Sequence, residues 1–326
     1  MPRRVRHGGR RFAGRSRGWL GPALLAAALA LVPACSIKRF AANSVANSLT
    51  SGQDVFGTDD DPELIRDALP FGLKTMESLL EVVPKHRGLL LTLCKGFTQY
   101  GVAFVQLDAE EVEPLDYNKA VAMRGRALKL FVRARDYGLR GLELSHPGIV
   151  ERLTTAPDSA VRTLGKRDLP MLYWTAAAWG SAVNLGKDRP ELLADLGAVR
   201  ALMSRGLAVD ERYDGGAFHE AMILLEALPE AMGGSPARAR EHYRKAIEYS
   251  GGGRASPHLT LASSLSVLEQ NREEFQALLE QALAIDPDGD RSQRLANIIM
   301  QRRAHFLLDH QELLFFDTDE TPEESR

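Results

Sequence analysis

Residues 276–287 read QALLEQALAIDP, and two earlier stretches repeat their plan: RAREHYRKAIEYS at 238–250 and RALMSRGLAVDE at 200–211. Each holds a small residue followed by an apolar one: Ala282–Leu283, Ala246–Ile247 and Gly206–Leu207. A bulky residue stands three places before each pair (Leu279, Tyr243, Met203), and an acid or serine three places after it (Asp286, Ser250, Asp210). The small residue lets two helices approach closely, the bulky one fills the groove beside it, and the polar residue ends the helix. ESLLEVVP, ending at Pro84, and LRGLELSHP, ending at Pro147, are looser versions.

The three clear copies lie 40 and 36 residues apart, close to the tetratricopeptide period of about 34. The earlier intervals exceed sixty residues, so insertions or extra helices separate those copies. Turn signals recur at Pro84, Pro147, 186–190, 214–216, 233–236, 251–257 and 286–289, and alternation of the β type is sparse. A heptad seam does not survive these glycine- and proline-rich breaks, which excludes a coiled coil. The expected fold is all-α, an array of tetratricopeptide-like helical hairpins forming a right-handed superhelix over 59–316. Asp61 followed by Pro62 should cap its first helix. The tail 317–326, DTDETPEESR, is acidic and free of large apolar residues, the composition of a disordered end.

The start of the chain belongs to a different class. Residues 1–18 carry seven arginines and no acid, and an apolar run from Trp19 to Ala34 follows. That run is short for a spanning helix, and its basic flank is the pattern of an export signal, so 1–34 is expected to be a removed signal peptide. The run ends LVPAC, which resembles the lipobox of bacterial lipoproteins and makes Cys35 the lipid-attachment residue. Arg10–Arg11–Phe12 lacks the apolar residues that should follow a twin-arginine signal, so general secretion is expected. Segment 35–58 then holds a short amphipathic helix, with Ile37, Ala41, Val45 and Leu49 four apart.

Losing the seven leader arginines from 41 basic residues leaves the 43 acidic ones nine in excess. An acidic body repels phosphates, which argues against a nucleic-acid partner. With Cys35 acylated, Cys94 in LLLTLCKGF has no partner for an intrachain disulfide and reads as a small core residue.

Catalytic patterns are weak throughout. His219–Glu220 begins a zincin motif, but Ile223 stands where the second histidine is needed. His305 and His310 are five apart and point in different directions on a helix. Glycines 251–253 lack the lysine and hydroxyl of a phosphate loop, and Asp59–Asp61 reads as a solvated cap. Arg133, Arg135 and Asp136 read as a salt-bridged helix face. No metal, no cofactor and no catalytic residue is expected.

One stretch stands apart: DLPMLYWTAAAWGSAVNL, residues 168–185, is apolar or small all round. An ordinary surface helix buries one stripe, so at least two faces of this one must be covered. It is either plain core or one wall of a cavity. Trp174 shares a face with Ala178 and Ser181, whereas Trp179 sits with Leu172, Thr175 and Val183. Trp179 is therefore expected in the core and Trp174 at the cavity. Tyr173, Tyr137 and Tyr100 complete the candidate ligand or partner residues with Trp174, Ala178 and Ser181.

The stretches DDDPELIRDALPFGLKTMESLL, HRGLLLTLCKGFTQYGVAFVQ, RARDYGLRGLE, LPMLYWTAAAWGSAVNL, YDGGAFHEAMI and RAREHYRKAIEYSGG, with the closing NREEFQALLEQALAIDPDGDRSQRLANIIMQRRAHFLLD, resemble the T component of TRAP-transporter-associated systems. The likeness runs from about residue 35 to 315. It implies a non-enzymatic periplasmic lipoprotein, a homotrimer, anchored to a membrane by its lipid alone. Its implied partner is the substrate-binding protein of a tripartite ATP-independent periplasmic transporter, and it implies a cavity that handles an apolar or organic-acid ligand. Ser36 in place of aspartate after the cysteine favours the inner leaflet of the outer membrane. The alternative is an outer-membrane-anchored helical-repeat scaffold for protein assembly with no small-molecule ligand.

Overall fold

The computed structural model describes residues 37–52 and 55–316, which are helical and contain no strand. The signal peptide, Cys35 and the acidic tail lie outside the described residues.

Helix α1 spans 37–50. Its expected apolar row faces outward: Ile37 is 65% and Val45 49% exposed, while Ala42 and Ala46 are the buried positions. The small alanines let the helix backbone sit close to the fold, and Asn47 bonds His86 at 3.0 Å. Helix α2 (Pro62–Val82) starts as expected, with the Asp61 carboxylate accepting from the Leu64 amide at 3.0 Å. The His86 ring accepts from the Leu89 amide to cap α3 (Arg87–Gly101).

A π turn over Val102–Gln106 carries α3 directly into α4 (Leu107–Val112). The combined helix is long and apolar enough to cross a bilayer, but 61% of its most apolar window is buried inside the fold. Its apolarity serves the core.

Helix α5 (Tyr117–Ser145) packs on α3, and short helices α6 (Ile149–Thr155) and α7 (Pro157–Ala160) follow it. They are the extra elements that lengthen the early intervals of the sequence. Helix α8 (Leu169–Leu185) is covered by α5, α3 and α10, which explains a sequence with no polar face. After the short α9 (Pro190–Leu193), the chain runs through α10 (Leu196–Val209), α11 (Ala217–Glu226), α12 (Pro236–Tyr249), α13 (Ser256–Leu261), α14 (Arg272–Leu283) and α15 (Arg294–Asp309). A second π turn, Ala262–Ser266, extends α13.

Consecutive helices pack as pairs: α8 with α10, α11 with α12, α13 with α14. The second member of each pair carries one of the three matching stretches. Ala246 and Ala282 are buried there, and a Cβ on Gly206 would run into the Phe218 ring. These are the close approaches that the small residues permit.

The last helix returns to the start of α2 and to α4. The Leu295 amide donates to the Gly57 carbonyl at 3.1 Å. Arg294 pairs with Asp60 at 2.8 Å, Arg302 with Glu63 at 2.7 Å, and Arg303 with Glu110. Apolar packing follows the same route. Leu295 and Ile299 join the core built by α2 to α11, whereas Ala304 and Leu307 belong to a second core formed with α13 and α14. Helix α15 thus bridges both ends of the array.

Candidate functional site

Because the array closes on itself, its inner faces enclose space. A cavity of about 2480 Å³ is lined by α2, α3, α8, α10, α11, α13 and α15. Both π turns contribute to its wall, through Val102, Ala103 and Phe104 on one and Ser263 and Ser264 on the other. The extra residue in such a turn re-aims the side chains around it, and π turns are frequent at functional sites.

The wall is mainly apolar. Leu91, Leu196, Met203, Leu224, Val267 and Ile299 are among the residues that line it. Tyr173 and Trp174 line it too, their rings edge to face at 5.1 Å. The Lys95 ammonium lies over the Trp174 ring at 5.8 Å.

Of the residues singled out from sequence, the structure brings Tyr173, Trp174 and Ser181 to this cavity. Three others lie off it. Ala178 is completely buried, because α5 packs on the side of α8 that carries Met171, Thr175 and Ala178. The cavity face of α8 carries Tyr173, Trp174, Ala177, Gly180, Ser181 and Asn184, so Ala177 stands where the spacing suggested Ala178. Tyr137 stacks on Phe97 and donates its hydroxyl to Glu77 at 2.7 Å, which with burial pushes its own ionisation upward. Tyr100 is 8% exposed, against Phe104 and under the Arg126 guanidinium. Trp179, read as core, is 2% exposed and donates its indole N–H to Asp195 at 2.8 Å.

Several charged positions on the wall are held in defined pairs. Arg303 is bound by Glu110, and Glu113 by Arg124 at 2.7 Å. Arg254 donates to Asp214 at 2.6 Å. Asp214 sits in a bend of three successive left-handed residues, with φ of 45° at Asp214, 58° at Gly215 and 85° at Gly216. Glycine adopts this region without penalty, whereas aspartate is one of the few other residues that tolerates it. The bend delivers Asp214 to Arg254 and starts α11 at Ala217.

One turn into α11, Glu220 reaches the same place. It keeps part of its surface free, yet protein surrounds it on all sides, so that its free surface is cavity surface. Burial raises its carboxyl above the usual range; a hydrogen bond with Ser256 and the Arg254 charge pull it down, and Asp214 pushes it up again. Burial likewise raises the Tyr173 phenol, with the Glu220 charge the next contributor. Sequence reasoning saw Glu220 only as half a zincin motif. The signal that was there is an acid inside the otherwise apolar run AFHEAMILL.

Among the described residues, no three His, Cys, Asp or Glu side chains are grouped to hold a metal ion. Cys94 is buried against Thr175 and Gly138, and burial pushes its thiol up to about 12, which leaves it unreactive.

Comparison with known proteins relates the sequence to a family. The profile described as TRAP transporter T-component matches residues 58–315. The chain is also similar to an uncharacterized protein of Treponema pallidum (strain Nichols), 28% identical over 306 residues, which is 88% of this chain and 95% of that one. With the profile covering the helices from the α2 cap to the end of the array, the chain belongs to the TRAP transporter T-component family, an accessory component of these transporters.

Proposed function

We propose that this protein is a non-enzymatic periplasmic lipoprotein, attached to the membrane through Cys35, that holds an apolar ligand in its central cavity. It does so in association with the substrate-binding protein of a TRAP transporter. The observation that carries the reading is the half-open cavity of about 2480 Å³, with apolar side chains over most of its wall. A space of that size could be filled by side chains if only packing were needed, and small-molecule sites are concave and mostly apolar. The paired helices support a tetratricopeptide-like superhelix, whose concave side would be this cavity. The family points to the transporter and to the cell envelope. The exposed row Ile37, Phe40 and Val45 on α1 lies directly after the anchor cysteine, where it can meet lipid or a neighbouring copy in a homotrimer.

The test is purification of the full-length protein from detergent-solubilised membranes. Extraction should release an apolar molecule, and the binding protein should copurify. The Cys35→Ala variant should leave the membrane, because stable anchoring takes more than one acyl chain and all of them depend on that residue. An empty extract together with no copurifying binding protein would overturn the reading.

A further inference from the structure

Glu220 has no part in closing the array, yet it is an acid placed on the wall of an apolar enclosure. The charged groups whose fields reach it are Arg254 and Asp214. Arg254 is already engaged by Asp214 at 2.6 Å, so the three groups together hold two carboxylates against one guanidinium. Ionised, the cluster lacks one positive charge. Neighbouring elements do not supply it. Helix α8 presents Tyr173, the start of α13 presents Ser256, and α12 turns His242 away from the cavity onto His219 at 2.8 Å. On α10, Arg200 is taken by Glu226 at 2.8 Å. A buried charge is tolerated only with a partner.

We infer that this wall is the docking point for a single cationic headgroup, an ammonium carried on an apolar body, held by the Glu220 carboxylate with Tyr173 beside it. The inference rests on the cavity reading above and names the class of its ligand. An alkyl carboxylate would add a third acidic group beside one guanidinium that is already neutralised. An alcohol would leave the charge deficit as it is. An ammonium completes the balance, and an aromatic ring adjoining a carboxylate is suited to it through the negative face of the ring. Burial raises the Glu220 carboxyl above the usual range. Protons and a cation compete for it, so the affinity for a cation weakens as pH falls.

The experiment titrates the full-length protein in nonionic detergent with octylammonium, octanol and octanoate, by calorimetry at neutral pH and again at lower pH. The same titrations into detergent without protein give the background from micelles. At neutral pH octylammonium should bind at least about tenfold more tightly than octanoate, the scale of one hydrogen bond to a charged group, and its affinity should fall as the pH is lowered. In Glu220→Gln that preference and its pH dependence should vanish while octanol binds as before. Octanoate binding as well as octylammonium, or a preference that survives in Glu220→Gln, would overturn the inference and leave the cavity reading intact. If none of the three exceeds the detergent background, the cavity reading falls and this inference with it.

Discussion

Gly138 of α5 faces Thr175 of α8 so closely that a methyl group on the glycine would sit 2.9 Å from the Thr175 Cβ and 3.0 Å from the Cys94 sulfur. The β-branched threonine cannot swing aside as a longer side chain could, because its χ1 is restricted. Gly138→Ala is therefore expected to destabilise the protein by about 1–3 kcal/mol, the cost of overpacking a filled contact. Gly125 lies on the same helix with open space around it. Gly125→Ala should stabilise by about 0.5–1 kcal/mol through helix propensity alone. Chemical denaturation of both variants measures the two signs, and equal effects would refute the α5–α8 register.

The two tryptophans of α8 should respond differently to truncation. Trp179→Ala removes a buried ring that bonds Asp195 and lies under the Arg135 guanidinium. Losses of about 3–5 kcal/mol are typical of that change in a core. Trp174 is only half-buried and faces the cavity, so Trp174→Ala should cost well under that. It should instead weaken binding of an apolar probe such as octanol. Loss of stability in both variants with binding unchanged would mark the stretch as plain core.

Closure of the array can be tested at two neighbouring arginines. Arg302 and Glu63 are 49% and 61% exposed, and such pairs contribute between nothing and about 1 kcal/mol. Arg303 is 11% exposed, bound to Glu110, and stacked over Phe306. Arg302→Ala should leave hydrogen exchange in α15 nearly unchanged. Arg303→Met should speed exchange in α15 and in 55–61 together, because it leaves Glu110 without its cation inside the cavity. Faster exchange confined to α15 would show that the two ends do not support each other.

Acid should weaken the fold through buried histidines. Burial lowers His219 and His258 from the usual 6.5 to about 4. Between those values the unfolded chain binds protons that the folded one does not, so stability falls as pH falls across that window. Each histidine contributes a slope of at most about 1.4 kcal/mol per pH unit. Glu220, raised in the folded state, acts in the opposite sense by holding its proton more readily when folded. His258→Gln should flatten the acid limb of a stability–pH curve measured between pH 7 and 4. An unchanged limb would remove His258 from the account.

The helical fold was legible because its signals are local. Capping at Asp61, small residues at 206, 246 and 282, and breaks at every turn cluster are written within a few residues of where they act. The all-round apolar α8 also announced that it would be covered on several sides. Its cavity face was harder to read. Ala178 and Ala177 are chemically identical, and only the position of α5 decides which one is buried. Tyr100 and Tyr137 were drawn to the site as aromatics, but a tyrosine also suits a half-buried place where its hydroxyl finds a partner, as Tyr137 does at Glu77. The Glu220–Arg254–Asp214 cluster joins two loops and a helix through a left-handed bend, and no spacing rule reports such a meeting.

The amide of Leu295 on the carbonyl of Gly57 has one more consequence. Open helical arrays lengthen and shorten by whole units, since each unit answers only to its neighbours. Here the last helix must land on residues some 240 positions earlier, as Arg302 does on Glu63. Adding or deleting a hairpin would misplace that landing and break the wall of the cavity at once. The circumference is therefore fixed, and the evolutionary freedom of this chain lies in which side chains point inward, not in how many hairpins surround them.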